Sequence, residues 1–511
     1  LKRWLELRPA MTSLRLRLAA SFTGIAGAAY ACACLFWARK KRRKFNFRSL
    51  PHFPSHCILG DAIRMADGQI KFYGELRDLV VREEPTRRLG SMRIFSENII
   101  VTYKPAHAHA VLRESTYRRP ISLFDIHLRK FLGPQAIIQL MKQPWKKMRT
   151  VIVKAFRESD MNIMSGTMAE CAWKFARRLA EVKSVDFLVA SKSCTLDIIG
   201  LTAFGYDFCG IAGLGFASET TVGDQFQFLL DDVTDRQYRP TLSKLLYWLP
   251  TERNRKHAEA TGLLRQTLSQ IIAQRDRSPT RQVRDLLDGM IHASRDGCTL
   301  AGLSKDALTD NLLTFMFAGF DTTSIALTYA LYLLAKNPDK LERLRREVDS
   351  EVKAGGQLSS KEVKSLPYCA KVIKETLRLF PPAPVTARNL TSAVDLDGLR
   401  IEEGTTVMIP IWWVHRDEQV WPAPEKFDPD RFDQELPHGA WIPFSDGARN
   451  CVGYRFAMVE ATIILAVLTR SLTWSLPTGY VLRPTNTGVV QVPADGLPLV
   501  FEPRADVELS L

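Results

Sequence analysis

One stretch of this chain restricts its fold more than any other. From Lys305 to Asn337 the sequence reads as a single helix, with Ser304 able to cap its start and Pro338 stopping it. Its 33 residues make roughly 50 Å of helix. The flanks, LLTFMF and SIALTYALYLLA, are apolar nearly all round. Such a helix has to be covered on every side, by lipid or by protein. Asp321 near its centre would cost about 3 kcal/mol or more in a bilayer. The expectation is a buried core helix with a polar notch, Ala318-Gly319-Phe320-Asp321-Thr322-Thr323. Gly319 there permits close approach of a ligand or a local widening of the helix, and an acid beside an alcohol can relay protons into a dry pocket.

The surroundings fit a large, mainly helical domain. Hydrophobic residues make up 46% of the 511, enough for a sizeable core. Helices are expected at Trp145 to Arg157, Met161 to Val182, Pro367 to Phe380 and Tyr454 to Leu472. A strand is expected over Phe95 to Tyr103, and a hairpin over Val394 to Met408 turning at Asp397-Gly398. Residues 61–511 form one domain in this reading, since no second linker interrupts them.

The net charge is +15, and Arg39-Lys40-Lys41-Arg42-Arg43-Lys44 alone supplies six of the positive charges. This run follows Leu18 to Ala38, 21 residues without a charge, which is long enough to span a bilayer. The expected order is therefore a basic segment at 1–17, a transmembrane anchor at 18–38 and a basic, Pro-containing linker at 39–60, with everything downstream cytosolic. A rival is an organelle transit peptide, because no acid occurs between Glu6 and Asp61. No nucleic-acid-binding signature accompanies the charge. Nine cysteines without regular spacing are not a disulfide framework, which points to a reducing compartment.

One of those cysteines differs from the rest. Phe444 to Gly453 reads FSDGARNCVG, a Gly-containing loop leading into Cys451, a glycine and a helix. A thiolate needs its charge stabilised, and a helix N-terminus offers amide hydrogens and a positive dipole end. Arg449 could reach an anionic group on a cofactor. Cys451 alone would read as a buried cysteine in a turn. The spacing of Phe444, Gly447, Arg449, Cys451 and Gly453 decides otherwise: it matches F-x-x-G-x-R-x-C-x-G and resembles the haem-binding loop of the cytochrome P450 family.

Four further motifs, in the family's order, carry the same resemblance. Glu375-Thr376-Leu377-Arg378 resembles its E-x-x-R, with Arg431 in Phe427 to Phe432 as the third member of a structural ion network. Ala318 to Thr323 resembles its oxygen-activation motif, which implies that Thr322 serves oxygen activation and Asp321 feeds protons inward. Trp145 and Arg149 match W-x-x-x-R, and Arg388 follows a Pro-rich turn; the resemblance makes all three partners of haem propionates. It makes His415-Arg416-Asp417 structural.

The resemblance implies a mainly α fold, a helical prism with a small β-rich lobe, and haem b between the long helix and the Cys451 loop, with Cys451 as the iron ligand. It implies a monooxygenase using O2 and two electrons from a separate NADPH-dependent reductase, or a ferredoxin if the protein is organellar, to hydroxylate or epoxidise a hydrophobic small molecule at the endoplasmic reticulum membrane. An oxygen-independent isomerase or dehydratase of the same family is the alternative, though such members commonly lack the acid–alcohol pair. Pocket walls are expected from Ser122 to Leu132, Phe226 to Asp232, Phe317, Ala318, Val385, Thr386 and the loop near Thr487.

Overall fold

The computed structural model describes residues 47–505 apart from 55–60, 62–64, 66–67, 95–96, 115–122, 157, 215–224, 230, 234–248, 278–284, 296–302, 354, 357 and 488–489. The expected basic segment, anchor and most of the linker lie outside the described residues.

The long helix runs Lys305–Lys336. The Ser304 hydroxyl accepts from the Ala307 amide at 3.1 Å, the expected cap. Its principal neighbour is the helix Phe187–Phe204. Gly319 permits that approach: a Cβ there would meet Ile199 at 3.1 Å. Among the described residues Phe187–Phe204 is the one helix long and apolar enough to cross a membrane, but 78% of it is buried inside the protein, so it is a core helix. Glu158–Val182, Pro367–Leu379 and Tyr454–Ser471 complete the packing around one large core.

The helix at Trp145 begins earlier than expected, spanning Lys142–Ala155, because Pro144 fits the first turn, where its missing N–H costs nothing. Met161 to Val182 likewise gains a turn at its start.

The β-rich lobe holds a four-stranded sheet ordered Leu89–Ile94, Glu97–Thr102, Thr406–Ile409 and Thr386–Asn389. Phe95 to Tyr103 therefore holds the second strand of a hairpin, paired in register from Ile94↔Glu97 to Leu89↔Thr102. The hairpin expected over Val394 to Met408 is shorter. Val394–Leu396 and Leu399–Ile401 pair across Asp397 (φ 53°) and Gly398 (φ 78°), a turn with two left-handed residues. Gly404, also left-handed, then turns the chain so that Thr406–Ile409 joins the larger sheet, parallel to Glu97–Thr102. Val407 and Ile409 are fully buried there, which a continued two-stranded ribbon could not offer. The sheet also fixes Arg388 opposite Val407.

Candidate active site

The long helix is buried along nearly its whole length, with one opening at its middle. Met316 and Phe320 are buried, while Phe317 and Gly319 are partly accessible and Ala318 between them is exposed. Thr322 lies one turn further on and is half-buried; its hydroxyl donates to the Ala318 carbonyl at 2.7 Å. Asp321, the next residue back, points away from that opening. It is buried and forms an ion pair with Lys192 of Phe187–Phe204 at 2.8 Å. The sequence reading did not find Lys192. Its signal was available: Lys192 and Asp197 are the only charged residues in that apolar helix, and a lysine set in an apolar helix calls for a partner.

Cys451 is an accessible residue in a partly buried loop. Its side chain is reachable by solvent yet surrounded by protein, so it sits on the floor of a hollow and not on the outer surface. Its amide donates to the Phe444 carbonyl at 2.8 Å, which closes the loop. Burial pushes the thiol up from its ordinary value, while the Gly453 amide hydrogen and the Arg149 guanidinium favour the thiolate. The helix Tyr454–Ser471 starts directly after Gly453 and turns its positive end toward the sulfur.

The loop is shaped by Gly447 (φ +68°), where a Cβ would lie 2.3 Å from the Leu112 carbonyl oxygen. Asp446 accepts from the Gly447 amide at 2.6 Å and is held by His109 at 2.7 Å.

Around the loop stand the arginines and the tryptophan of the sequence reading. Arg449 donates to the Leu140 carbonyl at 2.9 Å, and its guanidinium lies 4.1 Å from the centre of the buried Trp145 ring. Arg149 donates to the Asn450 carbonyl at 2.8 Å and to its side-chain oxygen. Arg388 is buried and donates to Ser445 Oγ at 3.0 Å and to the Ala387 carbonyl at 2.9 Å. The structure thus brings Trp145, Arg149, Arg388 and Arg449 from three distant parts of the chain to the Cys451 loop.

Behind the loop lies a buried ion cluster. Arg378 grips Glu375 with two bonds, at 2.7 and 2.8 Å, with neither side chain exposed. Arg378 also donates to the carbonyls of His415 (3.0 Å) and Lys426 (3.2 Å), while Glu375 accepts from the Asp428 amide at 2.9 Å. Arg431 completes the cluster at 3.4 Å from Glu375. His415 is neutral: burial and then Arg378 lower it to about 3. Its Nε2 accepts from the Ile442 amide at 2.8 Å, so Nδ1 carries the hydrogen and donates to the Arg378 carbonyl at 3.2 Å.

The profile describing the family Cytochrome P450 matches residues 62–499 of this sequence. The chain belongs to the cytochrome P450 family. Cytochrome P450 4V2 of Mus musculus is 26% identical over 524 aligned residues, which cover 94% of this chain and 97% of the mouse protein. Cytochrome P450 6a2 of Drosophila melanogaster is 30% identical over 65% of this chain and 69% of its own length. The Bifunctional cytochrome P450/NADPH–P450 reductase 2 of Bacillus subtilis is 28% identical over 75% of this chain and 36% of its own length. As a P450 the protein is a haem-thiolate monooxygenase that binds haem b and works with a redox partner and O2 on hydrophobic substrates. The site's chemistry fits that group. An accessible thiol with an amide and a guanidinium beside it suits a ligated thiolate, and a ring of arginines suits two carboxylates.

One buried acid of this P450 was not read from its sequence. Glu460 on Tyr454–Ser471 is fully enclosed, meets Thr323 of the long helix, and is pushed up to about 8 by burial. A raised carboxyl contributes stability that is complete below the ordinary carboxyl range and lost as pH rises toward 8. Glu460→Gln keeps the shape and removes the ionisation. Its unfolding free energy, measured by denaturant titration, should gain on the parent between pH 5 and 8, with a slope difference of up to about 1.4 kcal/mol per pH unit. Parallel profiles across that range would mean that Glu460 does not titrate there.

Proposed function

We propose that this P450 hydroxylates or epoxidises a hydrophobic small molecule, using O2 and two electrons from a separate NADPH-dependent reductase. The observation that carries this reading is an alcohol, Thr322, at the one opening of an otherwise buried helix, with a buried acid, Asp321, next to it in the chain. Haem bound there would supply the oxygen chemistry, and the Cys451 thiolate would hold its iron and donate electron density to it.

Arg149, Arg388 and Arg449 would hold the haem propionates, with Trp145 as a further donor and a platform under Arg449. Ala318, Gly319, Phe444, Gly447 and Gly453 would shape the two faces of the haem slot. Asp321 would take protons from the solvent side and pass them to Thr322, whose hydroxyl delivers them to the opening. Phe317 and Ala318 would form one wall of the substrate site. Phe131 supports that wall through ring contacts to Phe317 and Phe226, at 6.4 and 5.4 Å between centres. The wall residues expected around Ser122 and at the tip near Thr487 lie outside the described residues or side chains. Val385 and Thr386 stand on the β-lobe side.

Lys142, Lys146, Lys147 and Arg455 are exposed on the two helices that flank the Cys451 loop. A positive surface there suits an acidic electron donor. The Bacillus relative's name joins a P450 to an NADPH–P450 reductase, which supports a flavoprotein of that type as the donor. We place the protein at the endoplasmic reticulum membrane, anchored by residues 18–38.

Thr322→Ala tests the proton role. It should uncouple reductant use from product and raise hydrogen peroxide release several-fold, with substrate binding retained. Unchanged coupling would remove Thr322 from the reaction, and turnover without any reductant would favour an isomerase or dehydratase instead.

A further inference from the structure

Near its start the long helix carries two enclosed polar side chains that the oxygen chemistry does not use. Asp310 is 1% exposed and Asn311 is fully enclosed. Both are spent on one loop. Asp310 Oδ2 accepts from the Gln135 amide at 2.9 Å, and Asn311 Oδ1 accepts from the Ile137 amide at 2.9 Å. Asn311 Nδ2 donates to the Gln135 carbonyl at 3.0 Å. The other Asp310 oxygen accepts from Arg265, on the helix Glu252–Arg277, at 2.8 Å. The approach is close: Gly133 has φ +94°, and a Cβ there would lie 2.0 Å from Asp310 Oδ1.

Residues 133–137 belong to no helix or strand, so these side-chain bonds stand in for a ladder and fix the loop's backbone. The loop continues the helix Leu123–Leu132. Phe131, two residues before Gly133, is fully buried, with its ring 6.4 Å from that of Phe317. Phe317 follows Asp310 by seven residues. It therefore stands on the same face of the long helix, roughly 10 Å further along. One face of one helix thus holds both the pin of the loop and the ring that the loop presses against.

We infer that Asp310 is a positioning residue for substrate selection: it pins residues 133–137 and so holds Phe131 at a set distance from Phe317. This rests on the reading of Phe317 as a wall of the substrate site. A ring fixed before binding loses no freedom when a ligand packs on it, so a bulky apolar ligand keeps more of its contact energy. A ligand too small to reach the wall gains nothing. Arg265, 30% exposed, holds the carboxylate from the solvent side and keeps its second oxygen turned to the loop.

The test uses the full-length haem protein and two probes that bind haem iron through a ring nitrogen, imidazole and 4-phenylimidazole. Their dissociation constants are read from the shift of the haem absorption band. The parent should prefer 4-phenylimidazole by about 10-fold or more, from burial of the phenyl ring. Asp310→Ala should cut that preference about fivefold, with imidazole affinity unchanged. Asp310→Asn, which keeps an oxygen for the Gln135 amide, should restore most of it. An unchanged preference in Asp310→Ala would overturn the inference, and so would an equal loss for both probes, which general loosening of the fold produces. Phe317→Ala separates the two readings. It should abolish the preference; if it does so while Asp310→Ala does not weaken it, the wall stands and only the pin is lost. If Phe317→Ala keeps the preference, the wall reading falls and the inference with it. If Asp310→Ala does not bind haem, Gly133→Ala carries the test, because its methyl group displaces the Asp310 carboxylate from the Gln135 amide with the long helix unaltered. A reduced preference there supports the pin, and a parental one removes it.

Discussion

Replacing Arg378 with leucine should cost about 3–5 kcal/mol of folding stability and leave little haem-bound protein. Glu375 and Arg378 have no exposed side-chain surface, and the pair is closed by two direct bonds. Taking away one partner strands a carboxylate that burial already pushes above its ordinary value. It also frees the carbonyls of His415 and Lys426, which hold the segment carrying Arg431 behind the Cys451 loop. The effect separates this pair from surface pairs. Arg483–Asp495 has both side chains about half or more exposed, so its loss should change stability by less than about 1 kcal/mol. Denaturant unfolding of Arg378→Leu, Glu375→Leu and the double variant measures the difference. The double variant should be more stable than the sum of the singles suggests. Additive losses would mean that the two side chains do not act as a pair.

Much of this site was legible in the sequence because its parts are local motifs. Spacing alone places Phe444, Gly447, Arg449, Cys451 and Gly453 on one loop, and the structure gives Gly447 a backbone conformation and a neighbour that exclude any side chain. The helix Lys305–Lys336 follows from its cap, its apolar run and Pro338. What escaped is what depends on contacts between distant segments. Lys192 and Asp321 are far apart in the chain and meet only because two helices pack closely at Gly319. Glu460 looks like an ordinary helical acid until the long helix covers it. The hairpin over Val394 to Met408 was overextended for the same reason. Alternating residues predict a strand, but they do not say that Thr406–Ile409 finds its partners in Glu97–Thr102 and Thr386–Asn389.

The other large effect belongs to Cys451. Among the free cysteines of the described residues, Cys171, Cys194 and Cys369 are buried and Cys209 lies in an exposed turn far along the chain from the loop. Burial pushes these four thiols up, Cys171 to about 12, as it does Cys451, and none of the four has both a backbone amide and a guanidinium beside its sulfur. Cys451 alone has the Gly453 amide and Arg149 beside its sulfur. Serine at this position keeps the loop bonds made by the backbone, including Cys451 N to the Phe444 carbonyl, and removes the sulfur. The direct measurement is the absorption spectrum of the reduced, carbon monoxide-bound protein, recorded for the parent and for Cys451→Ser at equal haem content. The parent should show the long-wavelength band of a thiolate-ligated haem, and Cys451→Ser should lose it completely. A parent without that band, or a serine variant that keeps it, would contradict the assignment of Cys451 as the iron ligand.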